Sequence, residues 1–194
     1  MYDLPMKVVI SNSGVVTKPF LERIQLIQED ICAQNCDAIT TIIPQNLAFG
    51  GRLNAQIAQF CGYDLDAFII NNVYKPKVGE VYALPGGELP VKHILLGVMP
   101  HFRTEFDMNE AYLSNVVRNM MDLARCMLLT DIAFPALCAG KGGYPKAKAA
   151  RLVVQGITDR MQESFETIRV VVDDPETSRI FSDKLSVIGW QPSS

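Results

Sequence analysis

The sequence predicts an α/β domain: a mostly parallel sheet with helices on both faces, a three-layer α/β/α sandwich. Three observations predict it. Short apolar runs with β character alternate with helix-like stretches along the chain. The runs 40–43, 94–98 and 168–172 are apolar at successive rather than alternate positions, which expects both of their faces to be buried. Two of the runs end in glycine turns that lead directly into helix-like stretches.

In chain order, strands are expected at 6–10, 23–27, 37–43, 80–84, 91–98, 131–134 and 167–172, and helices at 52–61, 109–128, 145–165 and 175–185. The second helix is the most strongly patterned. Ala111, Leu113, Val116, Val117, Met120, Leu123 and Met127 recur at helical spacing and give it one apolar face. The third opens on Pro145, which suits a first helical turn. A chain of 194 residues with 48% hydrophobic and 20% charged residues, without repeats, low-complexity tracts or a long linker, is expected to form one domain over 1–194.

Charge and cysteine usage narrow the function classes. A net charge of −3 and a pI near 5.4 exert no global pull on nucleic acid or anionic lipid. The N-terminal stretch has no basic region followed by a long apolar one, and no window approaches the roughly 20 apolar residues of a spanning helix. A cytoplasmic location with no membrane partner is the expectation. Cys32, Cys36, Cys61, Cys126 and Cys138 are odd in number and form no C-x-x-C pair, so reduced thiols are expected. With two histidines, His93 and His101, no tetrahedral ligand set is in view, and neither metal nor cofactor is expected.

The chemistry lies in the turns. Pro135-Ala136-Leu137-Cys138-Ala139-Gly140-Lys141-Gly142-Gly143-Tyr144-Pro145 follows one strand and opens a helix. Glycines there permit positive φ and bring backbone N–H groups close to an anion, and diphosphate is the natural guest. The spacing is neither a Walker loop nor G-x-G-x-x-G. Taken alone, such a stretch is also a plain glycine-rich connection. A second turn, Leu47 to Asn54 with Gly50, Gly51 and Arg52, likewise joins a strand to a helix, so one diphosphate would be clamped from two sides. Upstream, Glu29-Asp30-Ile31 follows a strand, and a carboxylate at a strand end accepts from an amino group on a base.

In this order and spacing, these residues resemble the macro domain, the ADP-ribose-binding module. Glu29-Asp30-Ile31 is similar to the family's G-D-I, and Cys36 to Pro44 to V-D-A-I-V-N-A-A-N. Leu47 to Asn54 is similar to L-x-G-G-G-V, Val98-Met99-Pro100 to V-G-P, and Pro135 to Pro145 to P-x-x-S-T-G-x-[FY]-G-[YF]-P. Val78-Gly79-Glu80-Val81 looks like the family's T-G-E segment, and the resemblance spans about 24–185. It implies a central mixed sheet and a ligand of the ADP-ribose type, free or protein-linked. Asp30 would hold the adenine amino group and the backbone of Ile31 would meet the base. Gly50 and Gly51 would form the first phosphate loop, with Arg52 beside them, and Gly140, Lys141, Gly142 and Gly143 the second.

The departures bear on turnover. Thr41 and Pro44 stand where hydrolytic members carry asparagine, Arg52 replaces the third glycine, Asn54 follows it, Leu96 replaces a histidine, and Val172-Asp173-Asp174 lacks the aromatic that stacks on adenine. Proline offers no side-chain donor or acceptor. Binding without turnover is therefore the expectation, and no catalytic set is assigned. The alternatives are a hydrolase with a replaced set, drawing on Gln45, Asn46, Asp37 or Asp66, and a degenerate scaffold. Cys138 reads as a packed thiol. Lys75, Lys77, Lys141, Lys146, Lys148 and Arg151 make small basic groups without interleaved aromatics, so nucleic acid is not the expected partner.

Overall fold

The protein is described here by a computed structural model that covers residues 18–101, 109–140 and 143–192. The strand expected at 6–10 lies outside the described residues, as do Lys141 and Gly142. Six strands form one sheet: β1 (Ile24–Gln28), β2 (Cys36–Pro44), β3 (Val81–Pro85), β4 (Val91–Met99), β5 (Asp131–Pro135) and β6 (Thr167–Val172), in the order β1-β6-β5-β2-β4-β3. Every pairing is parallel except β3 with β4. Five strands therefore end on one edge of the sheet.

Helices cover both faces. The first, α1 (Arg52–Phe60), and the second, α2 (Leu65–Asn72), pack on one side, where Ile57, Leu65 and Ile69 join Ile39, Ile43, Leu96 and Val98. On the other side lie α3 (Glu110–Cys126), α4 (Lys146–Thr158) and α5 (Pro175–Val187), whose Val116, Met120, Val153 and Phe181 meet Ala38, Leu95, Phe134 and Ile168. Burial on both faces explains the continuous apolar runs. Gly97 admits α3: a Cβ there would sit 2.5 Å from Val116 Cγ2. At the chain's far end, Trp190 Nε1 donates to Ile24 O at 2.8 Å, tying the segment after α5 to β1.

The elements differ from expectation in two places. The helix expected over 145–165 stops at Thr158; the next residue, Asp159, still has helical φ and ψ and donates its N–H to Gln155 O at 2.9 Å, while its carboxylate pairs with Lys18 at 2.7 Å and Arg118 at 2.6 Å. Residues 65–72, which carry no clear amphipathic stripe, form α2, started by Asp64 accepting from the N–H of Ala67 at 3.0 Å. No helix among the described residues is long and apolar enough to cross a membrane.

Candidate functional site

The five parallel strand ends present the connections that follow β1, β2, β4, β5 and β6 on one edge, and α1, α4 and α5 start there. Their amino ends carry partial positive charge toward that edge. The helices are finished differently. Asp64, Asn109 and Asp174 cap α2, α3 and α5 with side-chain bonds to backbone N–H groups. Gly51 and Pro145, which precede α1 and α4, make no side-chain cap. The two helices that follow the glycine turns are thus the ones whose first-turn donors have no side-chain acceptor.

The first turn is held in shape by its neighbours. Gln45 donates its N–H to Met99 O at 2.8 Å and its Nε2 to Pro76 O at 3.0 Å. Asn46 Oδ1 accepts from the N–H of Ala48 at 3.1 Å, and Leu47 adopts φ 59°. Gly51 has φ 90°, a conformation that favours glycine. Underneath, the buried Asn54 accepts from Thr41 Oγ1 and donates Nδ2 to Ile42 O at 3.0 Å and Gly50 O at 3.1 Å. The peptide between Gly50 and Gly51 therefore has its carbonyl turned inward, which in a trans peptide turns the Gly51 N–H the opposite way.

The second turn is built on steric need. The N–H of Gly143 donates to Gly140 O at 3.0 Å, and a Cβ at Gly143 would lie 1.9 Å from Cys138 O. Cys138 itself has φ 57°. Burial pushes its thiol up to about 12, the opposite of what a nucleophile needs. Tyr144 is buried and donates from Oη to Asn109 O at 2.7 Å, fastening this turn to the start of α3.

Asp30 caps a short 3-10 turn at the end of β1. Its Oδ1 accepts from the N–H of Cys32 at 2.8 Å and from Gln56 Nε2 at 2.6 Å, while Ile31 beside it is buried. Gln56 is a positioning residue that the sequence did not single out; its signal is the four-residue spacing from Arg52 on α1. Arg52 pairs with Asp173 at the end of β6, Nη2 to Oδ2 at 2.9 Å.

The remaining candidates are placed elsewhere or engaged. Asp37 lies at the start of β2, the far end of the sheet, where it binds Lys92 and the N–H groups of Thr130 and Asp131. Asp66 is exposed in the first turn of α2. Of the basic residues near the second turn, Lys146 pairs with Glu176 at 2.6 Å, and Lys148 and Arg151 pair with Glu110 at 3.0 and 2.6 Å. Among the described residues no group of histidine, cysteine and carboxylate side chains gathers to hold a metal.

The family model described as the Macro domain matches residues 42–153. An O-acetyl-ADP-ribose deacetylase of Salmonella newport is 30% identical over 176 residues, spanning 88% of this chain and 98% of that protein. The Oceanobacillus iheyensis macrodomain solved with ADP superposes with a TM-score of 0.77 at 25% identity, covering 88% of this chain and 95% of that one. A Trypanosoma brucei macrodomain solved with ADP-ribose shares the fold, with a TM-score of 0.71 at 18% identity over 86% of this chain and 69% of that chain.

Proposed function

This chain belongs to the macro domain family, and on that premise we propose that it binds ADP-ribose, or a related nucleoside diphosphate, without turning it over. The observation that carries the reading is the pair of uncapped helix starts. The amino ends of α1 and α4, each preceded by a glycine turn, present backbone donors and positive helix ends on one edge of the sheet. A diphosphate meets both requirements. Asp30 takes the adenine amino group: Oδ1 is held by Cys32 and Gln56, and Oδ2 accepts no bond from the described residues. In this reading Gly50, Gly51 and Arg52 meet the diphosphate from the α1 side and Gly140 and Gly143 from the α4 side, and the backbone of Ile31 meets the base; Lys141 and Gly142 of the same proposed loop lie outside the described residues.

The reading without turnover is supported by how the polar groups near β2 are used. Pro44 has no hydrogen-bonding side chain. Thr41 and Asn54 bond to one another and to the backbone, Gln45 reaches Pro76, and Asn46 folds back on Ala48. A general base must reach the water it activates, and each of these groups is engaged in holding the turn. Hydrolysis is the second reading, favoured by the similarity to the Salmonella deacetylase over nearly its full length.

Calorimetric titration with ADP-ribose tests binding, and incubation with O-acetyl-ADP-ribose tests turnover. Micromolar binding that Asp30→Ala weakens at least tenfold, with no acetate release, is the expected result. Acetate release at a rate proportional to protein would replace this reading with the hydrolytic one.

A further inference from the structure

Arg52 and Asp173 form an ion pair that runs from the first residue of α1 to the end of β6. One turn along the same helix, Gln56 makes the parallel tie to Asp30 at the end of β1. The strands β1 and β6 are neighbours, with Gln28 opposite Val172, and the N–H of Glu29 donates to Val172 O at 3.0 Å. Asp30 and Asp173 therefore stand side by side at two adjacent strand ends, both facing one side of α1. The Gln56–Asp30 tie is short, at 2.6 Å, and joins a neutral amide to a carboxylate. The Arg52–Asp173 tie joins two formal charges, with side-chain exposures of 86% for Arg52 and 54% for Asp173.

We propose that Arg52 is a diphosphate-seeking arm parked on Asp173, which exchanges that carboxylate for the ligand's diphosphate when a nucleotide enters; the inference rests on the ADP-ribose reading above. An exposed single ion pair is weak because water and salt screen both partners. A diphosphate carries more charge than a carboxylate and accepts a guanidinium through two parallel bonds, where Asp173 makes a single contact. It would seat beside Gly51, the residue directly before Arg52, so the exchange needs only side-chain rotation. Asp173 is the counterpart. Its side chain has no other hydrogen bond or ion pair among the described residues, while its neighbour Asp174 is committed to the N–H of Thr177 at 2.9 Å. Once Arg52 departs, Asp173 loses its ion-pair partner near an anionic ligand, with only the more distant charge of Lys146 in electrostatic reach. Arg52 thus favours diphosphate ligands, and Asp173 opposes them.

The two residues should therefore act with opposite signs, which a shared structural role would not produce. Arg52→Ala is expected to weaken ADP affinity about tenfold, the size of a lost charge-assisted contact, and Asp173→Asn to tighten it about threefold. Adenosine, without phosphates, is expected to bind both variants within about twofold of the unaltered protein. Calorimetric titration of the three proteins with ADP and adenosine, with melting temperatures recorded to show that each variant folds, measures this. If ADP binds the unaltered chain but both substitutions weaken it, or neither changes it, the exchange is wrong and the cleft reading stands. If the unaltered chain binds neither ADP nor ADP-ribose, both fall together.

Discussion

Thr41 Oγ1 lies 2.5 Å from Asn54 Oδ1, joining β2 to α1 beneath the first glycine turn. Two carbonyls, Ile42 O and Gly50 O, accept from the other end of the same amide, so the orientation of Asn54 is fixed: its nitrogen must face them and its oxygen must face the threonine hydroxyl. Asn54→Ala is expected to cost about 2–3 kcal/mol, because two part-buried carbonyls and the buried Thr41 hydroxyl lose their partner at once. Urea unfolding of the variant measures this. Loss of less than about 0.5 kcal/mol would mean that water replaces the amide without cost.

The neighbouring threonine should behave in the opposite way. Thr40 points to the other face of the sheet, is fully buried, and its hydroxyl has no hydrogen-bond partner among the described residues. Thr40→Val keeps the shape and removes an unpaired polar group, and is expected to stabilise the protein by about 1 kcal/mol. Thr41→Val, one residue on, is expected to destabilise it by about the same amount. The difference in unfolding free energy between the two isosteric variants is the quantity to measure.

Two glycines of the candidate site should also separate. A Cβ at Gly50 meets nothing within 4 Å, whereas at Gly143 it meets Cys138 O at 1.9 Å. Gly50→Ala is expected to melt within a few degrees of the unaltered protein. Gly143→Ala must push the second turn apart and is expected to cost about 2 kcal/mol or more. Equal melting temperatures for the two variants would show that the second turn yields freely.

Asp37 sets the acid limit. Burial alone would raise its pKa, but the bond from Lys92 and the N–H groups of Thr130 and Asp131 outweigh that and hold it down to about 2. In the unfolded chain it returns to about 3.9. A depressed pKa stabilises the fold above the unfolded value and loses that contribution as pH falls through the folded one, here between about pH 4 and pH 2. Asp37→Asn is expected to lower stability by about 1–2 kcal/mol at pH 7 and to flatten the acid limb of the stability profile over that window. Denaturant melts from pH 7 to pH 2 would reveal either outcome.

Strands β2, β4 and β6 were legible because burial on both faces writes itself as unbroken apolar runs, and α3 because one face repeats at helical spacing. Where the outcome depends on a distant partner, local pattern misleads. Asp159, just past the end of α4 at Thr158, pairs with Lys18 and Arg118, and nothing near it in the sequence announces those partners. The continuous apolar stretch around Phe68, Ile69 and Ile70 hid α2, although Asp64 ahead of it was a readable cap. At the site, the glycine turns and Asp30 carried sequence signals, since special backbone conformations demand special residues. The bonds from Asn54, Gln56 and Asp173 did not, because each depends on which strand end lies opposite α1.

Strand order has a temporal consequence. Among the described residues β1 hydrogen-bonds to β6 alone, the first strand to the last. On a ribosome adding about 5–20 residues per second, Ile24, Leu26 and Ile27 are made roughly seven to thirty seconds before their pairing edge. During that wait the nascent chain offers an unsatisfied apolar edge, the kind of surface that chaperones shield. Asp30, carried at the end of that strand, takes its place in the sheet only after β6 has been made, so a chain cut before β6 retains both glycine turns yet lacks the strand that β1 pairs with.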